Sequence, residues 1–583
     1  MLFLRLPAPW RVGAAAALCC GLANHACHAA STPPVAATHG MVVTAHPLAT
    51  RVGVEVLKSG GNAVDAAVAV GYALAVVFPA AGNLGGGGFM TIELADGRKT
   101  FIDFREKAPL AARADMYLDP QGKVVEGLST VGHLAVAVPG TVAGLEMARG
   151  RYGTRKRVAL IDPAIELAQK GFELRQADVD YLGEATEVFR QDTAASKAFL
   201  DHGQTLAVGQ RLVQPDLART LARIRDHGVD GFYRGPVADA IAASSRAGHG
   251  IITQADLRAY EPRERAPVEC DYRGYHVVSA PPPSSGGVIL CELLDILEGY
   301  PLGELGYRSA RSVHYQIEAM RHAFADRNSY LGDPDFVKNP IEHLLDRDYA
   351  ARLRAAISPD RAGTAEAIQP GLPPHEGANT THFSIVDRFG NAVAVTYTLN
   401  EWFGARVVAA GTGVLLNDEM DDFTSKRGTP NLYGLVQGAA NRIEPGKRPL
   451  SSMSPTIVSR DGQVVLVLGT PGGSHIITSV LLVMLNLIDY GMDLQEAVDA
   501  PRFHQQWLPE TTTLERFAID PDTRAILLGL GHRFVDLGPR CDLGCSVAAI
   551  LVGAPALGAA TVGGARYYGA FDPRRNTGLA LGY

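Results

Sequence analysis

Residues 378–400, ANTTHFSIVDRFGNAVAVTYTLN, hold two runs of alternating side chains about a polar corner, and they constrain the fold of this chain more than any other stretch. FSIVD and AVAVTYTLN, joined by four or five residues that include Gly390 and Asn391, read as a β-hairpin. Counting back from Ala392 paired with Val386 or Asp387 puts Thr380 opposite Thr398 or Leu399. Alternation sends Ala394, Thr396, Thr398 and Asn400 to one face and Val393, Val395, Tyr397 and Leu399 to the other. Thr398 and Asn400 therefore share a polar face near Thr380. A hydroxyl at the first position of a strand packs nothing. Local hydrogen bonding at a strand end and the glycosylation triplet NTT are the ordinary readings. A third is chemical: a threonine hydroxyl needs a base to become a nucleophile, and its own α-amine, with a pKa of about 7.7–8.0, is one known solution. That amine is free only if the chain is cut between Asn379 and Thr380, and the proline- and glycine-bearing lead GLPPHEGAN (371–379) suits such a cut.

The rest of the chain is helix-rich first and strand-rich last. Thr50–Pro79 carries apolar residues at helical spacing on both sides of SGGN, which reads as helix, turn and buried helix. PAIELAQKGF (163–172), DLARTLARIRDHG (216–228) and RSVHYQIEAMRHAFADRNSYL (311–331) repeat the helical signature. TIVSRDGQVVLVLG and SVAAILVG read as strands around a helix-like SVLLVMLNLIDYG. There are 63 glycines, and the excess collects in GNLGGGGF (82–89), PPPSSGG (281–287) and LGTPGGS (468–474), places that call for close backbone approach. The length of 583 residues leaves room for more than one domain. A net charge of -7 disfavours a nucleic-acid partner.

The first thirty residues read as an export signal: Arg5 and Arg11, a short apolar stretch from Val12 to Ala23, and small residues for cleavage near Ala29 or Ala30. The expected location is periplasmic or extracellular. The residues before Cys27 match a lipid-attachment site poorly. Beyond the signal only Cys270, Cys291, Cys541 and Cys545 remain; Cys541 and Cys545, four apart, are placed to pair in an oxidising compartment. No metal site is legible, since His375 and Glu376 lack the second histidine of an HExxH helix, and no cofactor is expected.

TTHFSIVDRFGNAVAVTYTLN, LLNDEMDDFT (415–424), KRPLSSMSPTIV (447–458), LGTPGGS, DYGMDLQEAVDAPRFHQQWLP (489–509), GGNAVDAAVA (60–69), GNLGGGGFM and IDFREKAP (102–109) together resemble the gamma-glutamyltransferase (gamma-glutamyl transpeptidase) family, from about Gly40 to Tyr583. The resemblance implies an α/β N-terminal-nucleophile hydrolase fold, a four-layer αββα sandwich. It also implies a precursor that cuts itself, so that residues 1–30 are a signal, 31–379 a large subunit and 380–583 a small catalytic subunit of one heterodimer. The implied activity is γ-glutamyl transfer from glutathione and other γ-glutamyl donors to amino-acid or dipeptide acceptors, or to water.

Roles follow residue by residue from the same resemblance. Thr380 stands at the nucleophile and Thr398 at the threonine that hydrogen-bonds it. Arg105 matches the arginine that holds the donor's α-carboxylate, for which a guanidinium is a planar, bidentate partner. Asp422 and Glu419 match the residues that take the α-amino group, helped by Asn400; some family members carry Gln where Glu419 stands. Ser451 and Ser452 match the pair on the carboxylate, Gly472 and Gly473 the oxyanion glycines, and RGTPNLYGLVQG (427–438) the lid, with Tyr433 over the pocket. Read without the resemblance, Arg105 is a structural salt bridge, the acidic run a solvated loop, the serines a helix cap and the glycines a tight turn. Two other functions compete. Cephalosporin acylases of the same fold take glutaryl chains that lack the α-amine, which Asp422 and the lid argue against. An exported binding or structural protein of this fold would not need the set Thr380, Thr398, Gly472 and Gly473.

Overall fold

The computed structural model describes residues 31–368, 380–426, 431, 435, 438–538 and 542–583. The hairpin forms as the alternation requires. Strands Thr381–Val386 and Ala392–Thr398 pair antiparallel with Val386 opposite Ala392 and Thr381 opposite Tyr397, and of the two registers open to the sequence this one carries Thr380 to Thr398. Asp387 closes the corner: its carboxylate accepts from the N–H groups of Phe389 (2.8 Å) and Asn391 (3.0 Å). It also accepts from the N–H of Ala63 (2.9 Å), the first residue of the helix Ala63–Val77. One acid thus folds the turn and ties it to a helix.

Among the described residues, fourteen strands build two sheets. In chain order they are β1 (Val35–Ala37), β2 (Met41–Thr44), β3 (Gly87–Glu93), β4 (Lys99–Asp103), β5 (Arg263–Arg265), β6 (Val268–Tyr272), β7 (Tyr275–Ser279), β8 (Thr381–Val386), β9 (Ala392–Thr398), β10 (Thr456–Arg460), β11 (Gln463–Gly469), β12 (Ala548–Val552), β13 (Tyr567–Phe571) and β14 (Leu579–Gly582). One sheet runs β14-β2-β8-β9-β3-β4-β5 and the other β1-β13-β12-β11-β10-β7-β6, with every neighbouring pair antiparallel.

The alternation of β9 explains the layers. Its small side chains Ala392 and Ala394 meet Ile457, Val467 and Ile550 of the facing sheet in a thin inter-sheet core. Its larger Val393, Val395 and Tyr397 turn outward against the helices Pro47–Lys58 and Ala63–Val77. Every residue of Ala63–Val77 is buried, because the helix is apolar all round and is covered on all sides; Asn62 and Asp65 cap each other at its start. On the far side, helices Gly286–Glu298, Ala310–Tyr330 and His475–Ile488 pack Leu293, Met320 and Leu481 against Val277, Leu466 and Leu551. Helix, sheet, sheet, helix is the expected αββα sandwich.

Residues 34–583 form one unit, and its two sheets mix the chain's halves. The strands β8 and β9 lie between β2 and β3, and β10 lies between β7 and β11. Strands before residue 379 and after residue 380 are therefore hydrogen-bonded side by side in both sheets, so a cut between them would leave the pieces interleaved.

The cysteines differ from the sequence expectation. Among the described residues one disulfide forms, joining Cys270 of β6 to Cys291 of the helix Gly286–Glu298. Cys545 is buried and free, with its thiol 3.5 Å from the Leu543 carbonyl, and burial pushes its pKa up to about 12. Cys541 lies outside the described residues. Spacing in sequence suggested the pair 541–545, whereas the strand-on-helix packing brings together two cysteines 21 residues apart.

Candidate active site

The polar end of the hairpin opens on a tight cavity of about 20 Å³. Thr380, Thr398 and Asn400 line one side of it, all three buried. The Thr398 hydroxyl accepts from the Asn400 N–H at 2.8 Å, and the Asn400 side-chain amide reaches the carbonyl of Asp418 at 3.2 Å. The first glycine-rich run wraps this end. The amide of Asn83 donates to the Thr398 carbonyl at 2.8 Å, and a Cβ on Gly86 would stand 1.9 Å from that same oxygen. Only glycine fits so close to the strand that carries Thr398.

Charged side chains line the same cavity. Arg105 follows β4 and is 1 % exposed. Its guanidinium donates one branch to Glu419 and the other to Asp422. The acidic run that reads as a solvated loop is buried instead: Asn417 pins it by donating to the carbonyls of Gly85 and Ala137 at 2.8 Å each, while its oxygen accepts from the N–H groups of Ala137 and Glu419 at 3.0 Å each. Burial raises the pKa of Glu419 and of Asp422, and Arg105 opposes the rise in both. Burial works against the charge on Arg105, but Glu419 and Asp422 outweigh it and the guanidinium is held firmly protonated. Glu106, buried with both oxygens unbonded, sits 3.8 Å from Arg105 and has its pKa pushed up to about 7 by burial.

Ser451 and Ser452 line the floor, in an extended segment with no helix to cap. The second glycine-rich run holds them: Ser285 donates its hydroxyl to the Ser451 carbonyl at 2.7 Å, and the Ser451 N–H donates to the Pro283 carbonyl at 2.8 Å. Gly473 lines the cavity; Gly472, which precedes it in the chain, is not on the lining. Both have positive φ, +133° and +54°, and a Cβ on Gly472 would meet Cys545 Sγ at 2.3 Å. Of the lid segment, Asn431 reaches Asp422 at 3.4 Å and Leu435 lines the cavity. Tyr433 lies outside the described residues, as do Asn379, His375 and Glu376.

Sequence reasoning missed Arg327, a second guanidinium on the cavity wall, 1 % exposed, on the helix Ala310–Tyr330. The signal was present. Val313, Ile317, Met320 and Phe324 form the helix's buried stripe, and Arg327 continues that 3–4 spacing, so a charge stands on a core-facing row. It also missed Ser474 and the apolar wall of Leu450, Met453 and Ile476. Among the described residues one other group has ligand-type side chains, His314, Glu318 and His532. There the two imidazoles are hydrogen-bonded at 2.8 Å and Arg321 lies 3.4 Å from Glu318, an arrangement that already balances its charges.

The model of the family described as gamma-glutamyltranspeptidase matches residues 49–582. A glutathione hydrolase proenzyme of Pseudomonas sp. (strain A14) is 69% identical over 570 residues, which cover 98% of this chain and 98% of that protein. The glutathione hydrolase proenzyme of Escherichia coli (strain K12) is 48% identical, covering 94% and 93%. Among solved structures, a cephalosporin acylase from Bacillus halodurans superposes with a TM-score of 0.81 at 26% identity, covering 96% of this chain and 98% of that one. Matched over nearly its whole length, with the family's motif residues gathered about one buried cavity, this chain belongs to the gamma-glutamyltranspeptidase family.

Proposed function

We propose that the protein is an exported gamma-glutamyltransferase and glutathione hydrolase, active after cleavage between Asn379 and Thr380. One observation carries this reading: a single cavity joins a strand-leading threonine to a buried arginine that is paired with two carboxylates. The amino-acid end of a γ-glutamyl donor is a zwitterion. Its carboxylate is a match for Arg105 and for the hydroxyls of Ser451 and Ser452; its ammonium is a match for Glu419 and Asp422. Entry of the donor exchanges one set of ion pairs for another and leaves no buried charge unpaired, which is the costly alternative.

With the donor so held, Thr380 Oγ attacks the γ-amide carbon while the free α-amine of Thr380 takes its proton. Thr398 orients the hydroxyl. The N–H groups of Gly472 and Gly473 stabilise the developing oxyanion, each such donor contributing about 2.7–4 kcal/mol. The amine portion leaves, and water or an acceptor amino acid or dipeptide resolves the γ-glutamyl ester. The interleaved sheets account for how pieces 31–379 and 380–583 stay together as a heterodimer after the cut. The export signal and the Cys270–Cys291 disulfide both suit a periplasmic or extracellular location, and no described helix is long and apolar enough to cross a membrane.

Cephalosporin acylases share the fold but act on glutaryl chains, for which the acidic pair would have no partner. Release of p-nitroaniline from γ-glutamyl-p-nitroanilide, with and without glycylglycine, tests the reading. Turnover stimulated by the dipeptide is expected; activity on glutaryl anilides alone would overturn it in favour of the acylases.

A further inference from the structure

The directions of the hydrogen bonds around Arg327 are forced, because a guanidinium donates and never accepts. Its Nη2 donates to Ser452 Oγ at 2.8 Å and its Nε to Ser285 Oγ at 2.9 Å. Each serine hydroxyl has a single proton, and each has its oxygen engaged as an acceptor by Arg327. Ser285 gives its proton to the Ser451 carbonyl at 2.7 Å, an oxygen that can only accept. Ser452 likewise keeps its proton for a further acceptor, and it faces the cavity. Arg327 thus reaches both cavity serines, Ser452 directly and Ser451 through Ser285.

From this geometry we infer that Arg327 is a positioning residue for donor specificity, fixing Ser452 as a hydrogen-bond donor toward the α-carboxylate and holding Ser451 in place through Ser285. This rests on the proposed γ-glutamyl activity and deepens it. Without Arg327 the Ser452 hydroxyl would rotate freely, and the carboxylate would lose an oriented donor and the field of a second nearby cation. Lysine at this position would keep the charge, but a single ammonium cannot repeat the planar fork that spans two serines.

The test compares γ-glutamyl-p-nitroanilide with 4-aminobutyryl-p-nitroanilide, which keeps the amine and the scissile amide but lacks the α-carboxylate. In Arg327→Gln, purified in the cleaved form, the ratio of kcat/KM between the two substrates should fall by about ten- to a hundredfold, chiefly through a raised KM for the γ-glutamyl compound. Arg327→Lys should recover part of that loss. A role confined to structure would lower both rates by one factor and leave the ratio unchanged, which would overturn the inference. If Arg327→Gln does not fold or cleave, Ser285→Ala removes the bridge from outside the cavity. A fall in the ratio of about three- to tenfold is expected there, and an unchanged ratio would equally overturn the inference. A wild-type protein that releases nothing from the γ-glutamyl anilide would instead sink the proposed function, so the two failures are distinguishable.

Discussion

The two walls of the cavity are built in different ways. The hairpin wall, Thr380 to Asn400, is placed by main-chain register: strand β9 is hydrogen-bonded on both edges, to β8 and to β3, and Thr398 has no freedom to move along it. The charged wall is placed by side chains. Arg105, Glu419 and Asp422 meet across 314 and 317 residues of sequence and hold one another by ion pairing in a buried setting. In the proposed function the first wall carries out the chemistry whatever the substrate's far end carries, and the second reads that end. Chemistry on the hairpin and recognition on the charge cluster should therefore be separable by mutation.

The largest effect expected is on the hairpin side. Thr380→Ala removes the proposed nucleophile and should abolish turnover on every substrate, while the chain stays a single band on a denaturing gel. A wild-type protein that is fully active as one uncut band would break the proposal that the α-amine is the base.

Next comes the charged wall. Losing one partner of a buried, hydrogen-bonded charge pair costs about 2–5 kcal/mol, roughly thirty- to several-thousand-fold. Asp422→Ala should lower kcat/KM for the γ-glutamyl anilide by that order and the slow glutaryl anilide rate far less. Equal losses on both substrates would mean that Asp422 supports the site and does not read the amine.

Gly472→Ala returns to the chemical side. The added Cβ would collide with Cys545 at a backbone conformation that favours glycine, displacing the N–H proposed to stabilise the oxyanion. A fall in kcat of about a hundred- to a thousandfold is expected on γ-glutamyl and glutaryl substrates alike, measured by steady-state kinetics on both anilides. Selectivity lost together with rate would show that the walls are coupled.

The smallest effect is in pH. As pH falls, protonation of the α-amine of Thr380 slows both substrates alike and cancels in their ratio. Glu106 is different. Burial raises its pKa, as it does that of Glu419 beside it, so lowering the pH drives its carboxyl toward the neutral form, and its negative charge beside Arg105 favours a cationic amine more on the alkaline side. The γ-glutamyl to glutaryl ratio should drop by about two- to fivefold from pH 8 to pH 6, and Glu106→Gln should flatten the profile. A ratio already flat in the wild type would remove Glu106 from amine recognition.

The sequence by itself determined the hairpin, the apolar helix behind it and the glycines that admit close backbone contact. Each is a local pattern: a period of two, an unbroken apolar stretch, a side chain of one hydrogen. It also carried the family motifs, and so the positions of Thr380, Arg105 and Asp422. It did not reveal that the acidic run is buried, because burial there depends on Asn417 meeting Gly85 and Ala137 from remote parts of the chain. Nor did it identify the disulfide, since two cysteines bond where a strand and a helix happen to pack. Arg327 is the clearest case. Its place on an apolar stripe was legible, but its partner Ser452 lies 125 residues away, and only the stacking of helix on sheet decides that the two should touch. Backbone hydrogen bonding is encoded over a few residues and survives being read locally, whereas side-chain pairs between layers exist only once the layers have been assembled.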